Sequence, residues 1–129
     1  KGIMDQADVD IIHNYMLELL GNIGCKSING LYYSTSNLKD DIYAKPNIGM
    51  FKRAADEIGV DWKNGVYVGD KISDLKAAVK AKARPVLVKT GHGEETISKL
   101  KSFANKDLKK QTEVYSNLLE FANTLNPLY

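Results

Sequence analysis

At 129 residues and 14.3 kDa the chain has the size of one compact domain. A net charge of +2 gives no argument for nucleic acid as its partner, and 43% hydrophobic residues argue against disorder. No apolar stretch is long enough to span a bilayer, and no signal peptide, internal repeat or low-complexity segment stands out. Cys25 is the one cysteine, so no disulfide can form within the chain, which fits a reducing, cytoplasmic setting. The chain opens on Lys1-Gly2-Ile3-Met4 and enters a helical pattern almost at once, as a piece of something longer would.

Asp5, with Asp8 three residues on, predicts a helix N-cap. Val9, Ile12, Met16, Leu19 or Leu20, and Ile23 then recur at helical spacing, and Gly24 closes the helix. Leu31-Tyr32-Tyr33, entered through Asn29-Gly30, predicts a strand. Residues 34–43 are polar and turn-prone, as a loop on a ligand edge would be. Pro46 holds Lys45 outside any helix. Phe51, Ala54, Ala55 and Ile58 then mark the apolar face of a second helix ending at Gly59.

The centre of the chain is Val66-Tyr67-Val68-Gly69-Asp70-Lys71-Ile72-Ser73-Asp74. An apolar run that stops at Gly-Asp predicts a buried strand at the carboxyl edge of a parallel sheet, where open α/β sheets place their ligands. Asp70 and Asp74 are hard oxygen donors of the kind Mg²⁺ takes, and Lys71 can offset phosphate charge. Ser73 is positioned to cap the next helix, whose apolar face is Leu75, Ala78 and Val79. Short motifs of this kind also occur as ordinary strand-turn-helix junctions with solvated acids. Pro85–Val88 predicts another buried strand, and Thr90-Gly91-His92-Gly93 a tight loop after it. A helix with Ile97, Leu100, Phe103 and Ala104 on its apolar face follows. Lys99, Lys101, Lys106, Lys109 and Lys110 form a loose basic run that reads as a solvated face. Val114-Tyr115 predicts a short edge strand, and Asn117 with Glu120 a capping box for a last helix carrying Leu118, Phe121, Ala122 and Leu125. Strands alternating with helices imply a parallel sheet with right-handed crossovers.

Two stretches together, residues 45–51 and 67–74, resemble the third and fourth motifs of the haloacid dehalogenase (HAD) superfamily of phosphatases. The resemblance is to the branch that holds the D,D-heptose 1,7-bisphosphate and histidinol phosphatases, and residues 86–93 are similar to the loop that follows there. It implies an α/β fold, a HAD-like Rossmannoid parallel sheet with flanking helices. It further implies a Mg²⁺-dependent phosphomonoester hydrolase of small phosphorylated metabolites, with a sugar bisphosphate as the substrate class. Such an enzyme takes the phosphoryl group on an aspartate and releases it to water. By this resemblance Lys45 holds the phosphate as the catalytic cation, Asp70 binds Mg²⁺, Lys71 touches substrate, and Asp74 orients the acidic loop from behind.

The departures from the family pattern matter as much. The Asp-x-Asp nucleophile strand and the Ser or Thr of the second motif have no match. Asp8-Val9-Asp10 has the letters, but no apolar strand precedes it and its own spacing is helical. The chain therefore reads as residues 1–129 of one HAD-like domain's carboxyl-terminal portion, lacking the first two strands and inactive alone. The open strand edges this leaves are expected to pair with the missing amino-terminal segment or with another chain. Residues 34–44 lack the cysteines and histidine that bind zinc in relatives, so no zinc is expected. Ala44 stands where relatives often carry an arginine that holds the sugar phosphate. The rival reading is a non-catalytic module, a degenerate HAD-like or flavodoxin-like interaction domain. A receiver-like domain fits the length but lacks an acidic cluster after a first strand. The phosphatase reading demands that Lys45 and Asp70 converge on one corner.

Overall fold

A computed structural model describes residues 5–25, 28–32 and 42–125. Its core is a parallel sheet of three strands in the order β1 (Val66–Gly69), β2 (Arg84–Val88), β3 (Glu113–Tyr115). Val68 sits opposite Val86 in the first pairing, and Leu87 opposite Val114 in the second. The central strand carries the buried run Pro85–Val88, as a parallel strand covered on both faces must. Helix α3 (Ile72–Lys80) connects β1 to β2 and buries Leu75, Ala77 and Ala78 completely. Helix α4 (Gly93–Leu100) and the short α5 (Lys106–Gln111) connect β2 to β3. Leu75, Leu87 and Leu100 form the buried cluster, with Ile72, Ile97 and Leu108 packed on it. Each such leucine contributes about 2 kcal/mol through area removed from water.

Helix α1 (Gln6–Asn22) starts where the capping pattern predicts. Asp5 Oδ1 accepts the Asp8 amide at 2.9 Å, and Asp8 reaches back to the Asp5 amide. Asp8 and Asp10 are thus helical, as their spacing indicates. Of the periodic apolar residues only Val9 is buried, while Ile12, Leu19 and Ile23 are exposed. Helix α2 (Gly49–Ile58) buries Phe51 and Ala54 and stops at Gly59, whose φ is +71°. Asn117 caps α6 (Leu118–Ala122) by accepting the Glu120 amide at 2.8 Å, and Phe121 is its buried residue. The five lysines of the basic run are all exposed.

Several expectations need correction. Leu31 and Tyr32 lie in irregular chain, not in a strand, and Tyr33 falls outside the described residues. Among the described residues β1 pairs only with β2, so no ladder is offered to them. Tyr32 instead lies under the guanidinium of Arg53 and donates to Glu57 at 3.3 Å. Ser73 is not the N-cap of α3. The helix begins two residues earlier than that cap would set, with Lys71 at the cap position, because the Asp74 carboxylate reaches back to the Lys71 amide. Phe103 is outside α4, in a 3₁₀ turn (Phe103–Asn105), and is 87% exposed. Leu125 lies beyond α6 and is exposed. Most of the loop expected at residues 34–43 is outside the described residues; Ile42 and Tyr43 form its closing turn.

Candidate active site

The carboxyl ends of β1 and β2 build the candidate site. Gly69 ends β1 against α3 so closely that a Cβ there would fall 2.3 Å from the Asp74 Cβ. This close approach brings the Asp74 carboxylate under the turn that follows the strand. Its Oδ2 accepts the backbone amides of Asp70 and Lys71, each at 3.1 Å. Its Oδ1 meets the Lys45 ammonium at 2.5 Å. Asp74 is 4% exposed, so its charge is held almost entirely by these three partners. One buried carboxylate thus joins Lys45 to the Asp70 turn, 25 residues further along the sequence.

Lys45 is outside any helix, as the following proline demands, and the Lys45–Pro46 peptide is cis. Its ammonium also donates to the Tyr67 hydroxyl at 3.3 Å. Tyr67 projects from β1 into an aromatic cluster. Its ring lies 4.6 Å from Phe51 of α2 and 6.5 Å from Trp62, centroid to centroid. Trp62 is tied down by donating to the Phe51 carbonyl at 2.8 Å. The alternation of Val66-Tyr67-Val68 places Tyr67 on the face opposite its neighbours, yet nothing in the motif marks it as a partner of Lys45.

Burial opposes the charged form of Lys45 and is the largest single influence on it. The hydrogen bond to Asp74, with the charge and hydrogen bond of Tyr67 and the charge of Asp74, outweighs burial and raises the lysine above its ordinary 10.5. A folded pKa above the unfolded one means the ion pair stabilises fully below pH 10.5. The contribution is then lost as pH rises through the higher folded value. The stability difference between the chain and Lys45→Met, read from urea midpoints, is therefore expected to hold constant from pH 7 to about pH 10 and to shrink above that.

Asp70 is held from the other side. Its Oδ2 accepts the His92 amide at 2.8 Å, and its carbonyl accepts the Thr96 hydroxyl at 2.7 Å. Lys71 is exposed at the start of α3 and makes no ion pair among the described residues. Lys71, Ser73, His92, Glu95, Thr96 and Lys99 line a cavity of about 350 Å³ beside it. The structure thus brings Lys45, Asp70, Lys71 and Asp74 to one corner. It adds Tyr67, Thr96 and the His92 amide, which the sequence motifs did not single out.

Among the described residues no three carboxylate, imidazole or thiol groups gather into a metal cage. Asp70 has one carboxylate oxygen, Oδ1, without a partner among them. Mg²⁺ is commonly held by one or two carboxylates completed by water and substrate phosphate. Asp70 therefore fits one corner of such a site and does not make a whole one.

A family model described as HAD-hydrolase-like matches residues 42–121, a span that contains Lys45, Asp70, Lys71, Asp74 and the turn at His92. The chain belongs to the HAD-hydrolase-like family. This HAD chain is 32% identical, over 127 residues, to the D-glycero-β-D-manno-heptose-1,7-bisphosphate 7-phosphatase of Pseudomonas aeruginosa, covering 97% of itself and 66% of that protein. With the enzyme of the same name from Bordetella bronchiseptica it shares 33% over 100 residues, covering 76% of itself and 55% of that protein. The structure of D,D-heptose 1,7-bisphosphate phosphatase from B. bronchiseptica, complexed with magnesium and phosphate, matches with a TM-score of 0.79 at 27% identity. That match covers 93% of this HAD chain and 64% of the other. The chain therefore spans about two thirds or less of the length of these relatives, all of which are phosphatases by name.

Proposed function

We propose that this HAD chain carries the phosphate- and metal-binding half of a Mg²⁺-dependent phosphomonoester hydrolase whose substrate is a small sugar bisphosphate, with a heptose 1,7-bisphosphate as the specific candidate. The observation that carries this reading is Asp74. A single buried carboxylate draws the Lys45 ammonium and the Asp70 turn onto one site. The names of the relatives supply the substrate class.

Each residue then has a distinct task. The Lys45 ammonium meets a non-bridging phosphate oxygen and neutralises charge as the phosphorus–oxygen bond breaks. Asp74 and the Tyr67 hydroxyl hold that ammonium in place, so little reorganisation is needed at the moment of transfer. Asp70 Oδ1 would hold the metal, whose role is to orient the phosphate and stabilise its developing charge. Lys71, exposed at the rim, meets an anionic group of the substrate. Asp74 is committed to three partners and cannot serve as the attacking carboxylate. Asp8 and Asp10 belong to α1. The Asp-x-Asp pair that follows an apolar strand in the HAD pattern has no match in this sequence, so the 129-residue chain is expected not to turn over by itself.

The test is phosphate release from heptose 1,7-bisphosphate and from an aryl phosphate, with and without Mg²⁺. The chain is compared with the same chain extended by its upstream coding sequence. Turnover is expected only from the extended protein, and chelation of the metal is expected to abolish it. Turnover by the short chain that disappears in Asp8→Ala or Asp10→Ala contradicts this reading. An extended protein indifferent to Mg²⁺ and inactive on both substrates points to a non-catalytic module.

A further inference from the structure

The turn after β2 does something that neither HAD motif accounts for. Gly93 donates to the Thr90 carbonyl at 3.0 Å, closing a β-turn with Gly91 and His92 at its corners. Gly91 has φ +60° and His92 has φ −89° and ψ 10°, the pattern of a type II′ turn. That shape aims the His92 amide, not its imidazole, at Asp70 Oδ2, 2.8 Å away. Gly91 is doubly required. Its φ lies where side chains are strained, and a Cβ there would stand 2.3 Å from the same Asp70 oxygen.

Thr96 points the same way. It is 2% exposed, and a helical threonine commonly turns its hydroxyl onto the carbonyl one turn back in its own helix. Here the hydroxyl crosses to Asp70, 26 residues away in sequence, and donates to its carbonyl at 2.7 Å. Together with the Asp74 bond to the Asp70 amide, this holds the backbone of Asp70 at both its N–H and its C=O. One carboxylate oxygen is fixed as well, and the other has no partner among the described residues.

We propose that the Thr90–Gly93 turn and Thr96 form a clamp that sets the orientation of the Asp70 carboxylate, presenting Oδ1 outward. This rests on the reading of Asp70 as a metal ligand. Gly91, Thr96 and the His92 amide are positioning groups that act through Asp70 and do not touch the metal. Partners that orient a ligating carboxylate commonly change metal affinity ten- to a hundredfold when removed.

The test uses Mn²⁺ as a paramagnetic probe on the 129-residue chain, together with hydrogen exchange of the His92 amide measured without metal. Mn²⁺ is expected to broaden the amides of residues 69–71 and 91–93. Gly91→Ala and Thr96→Val are each expected to weaken that binding about tenfold or more and to speed exchange at His92. Thr96→Ser keeps the hydroxyl and is expected to restore both, which a loss of folding would not allow. The clamp is overturned if folded Thr96→Val keeps its Mn²⁺ affinity within twofold and its slow His92 exchange. Failure of the metal reading looks different. The wild-type chain would then show no broadening at residues 69–71, while His92 remained protected in a Thr96-dependent way.

Discussion

Asp74→Ala is expected to destabilise the chain by about 3–4 kcal/mol, a shift of roughly 10 °C in a domain of this size. The residue is 4% exposed and carries three partners at once. Its removal leaves the Asp70 and Lys71 amides without an acceptor, each at a cost of about 1 kcal/mol or more. It also leaves a half-buried ammonium without its counter-charge. Asp74→Asn is expected to recover only part of the loss. A single amide oxygen can serve the two backbone amides or the ammonium, and its NH₂ group then faces the other. Urea denaturation of the three proteins measures the series. Asp74→Ala within 0.5 kcal/mol of the parent would mean that the carboxylate is not the junction of the two motifs.

The second large effect is on the chemistry. In a catalytically competent longer form of this HAD protein, Lys45→Ala is expected to lower kcat/KM on the sugar bisphosphate by about 10²–10³-fold, the usual loss when one preorganised charge donor is removed. Lys45→Arg is expected to recover little. The Lys45 ammonium is a point charge fitted between the Asp74 carboxylate and the Tyr67 hydroxyl, and a planar guanidinium cannot take both contacts in the same space. Tyr67→Phe removes one of the two groups that hold the ammonium and leaves the ion pair, so a loss below tenfold is expected. Steady-state kinetics on the four proteins decides the order. If Lys45→Ala and Tyr67→Phe lose equally little, the ammonium does not meet the reacting phosphate.

Much of the fold was legible because local rules and burial agree there. The apolar runs Val66–Val68 and Pro85–Val88 are both strands, but only the second is buried on both faces; the first is half-buried, because among the described residues it pairs only with β2. Asp5 with Asp8, and Asn117 with Glu120, mark helix starts through short-range hydrogen bonds that depend on a spacing of three. The same rules mislead where burial does not follow periodicity. The apolar stripe of α1 is regular, yet Ile12, Leu19 and Ile23 remain exposed. Leu31-Tyr32 has strand composition but finds no ladder among the described residues.

The sequence by itself determined the strand-helix alternation and the family, and it offered Lys45, Asp70, Lys71 and Asp74 as site candidates, because each is written in contiguous residues or fixed spacings. Only the tertiary structure decided how they are joined. Asp74 bonds Lys45 across 29 positions, Tyr67 supports that lysine from inside an aromatic cluster, and the His92 amide and Thr96 grip Asp70 from the turn and helix that follow β2. Those contacts depend on parallel strands ending at one edge of the sheet, and long-range pairing of that kind leaves no periodic mark in a single chain. All three Asp70 contacts also use backbone groups, whose direction depends on φ and ψ, not on the identity of the side chain.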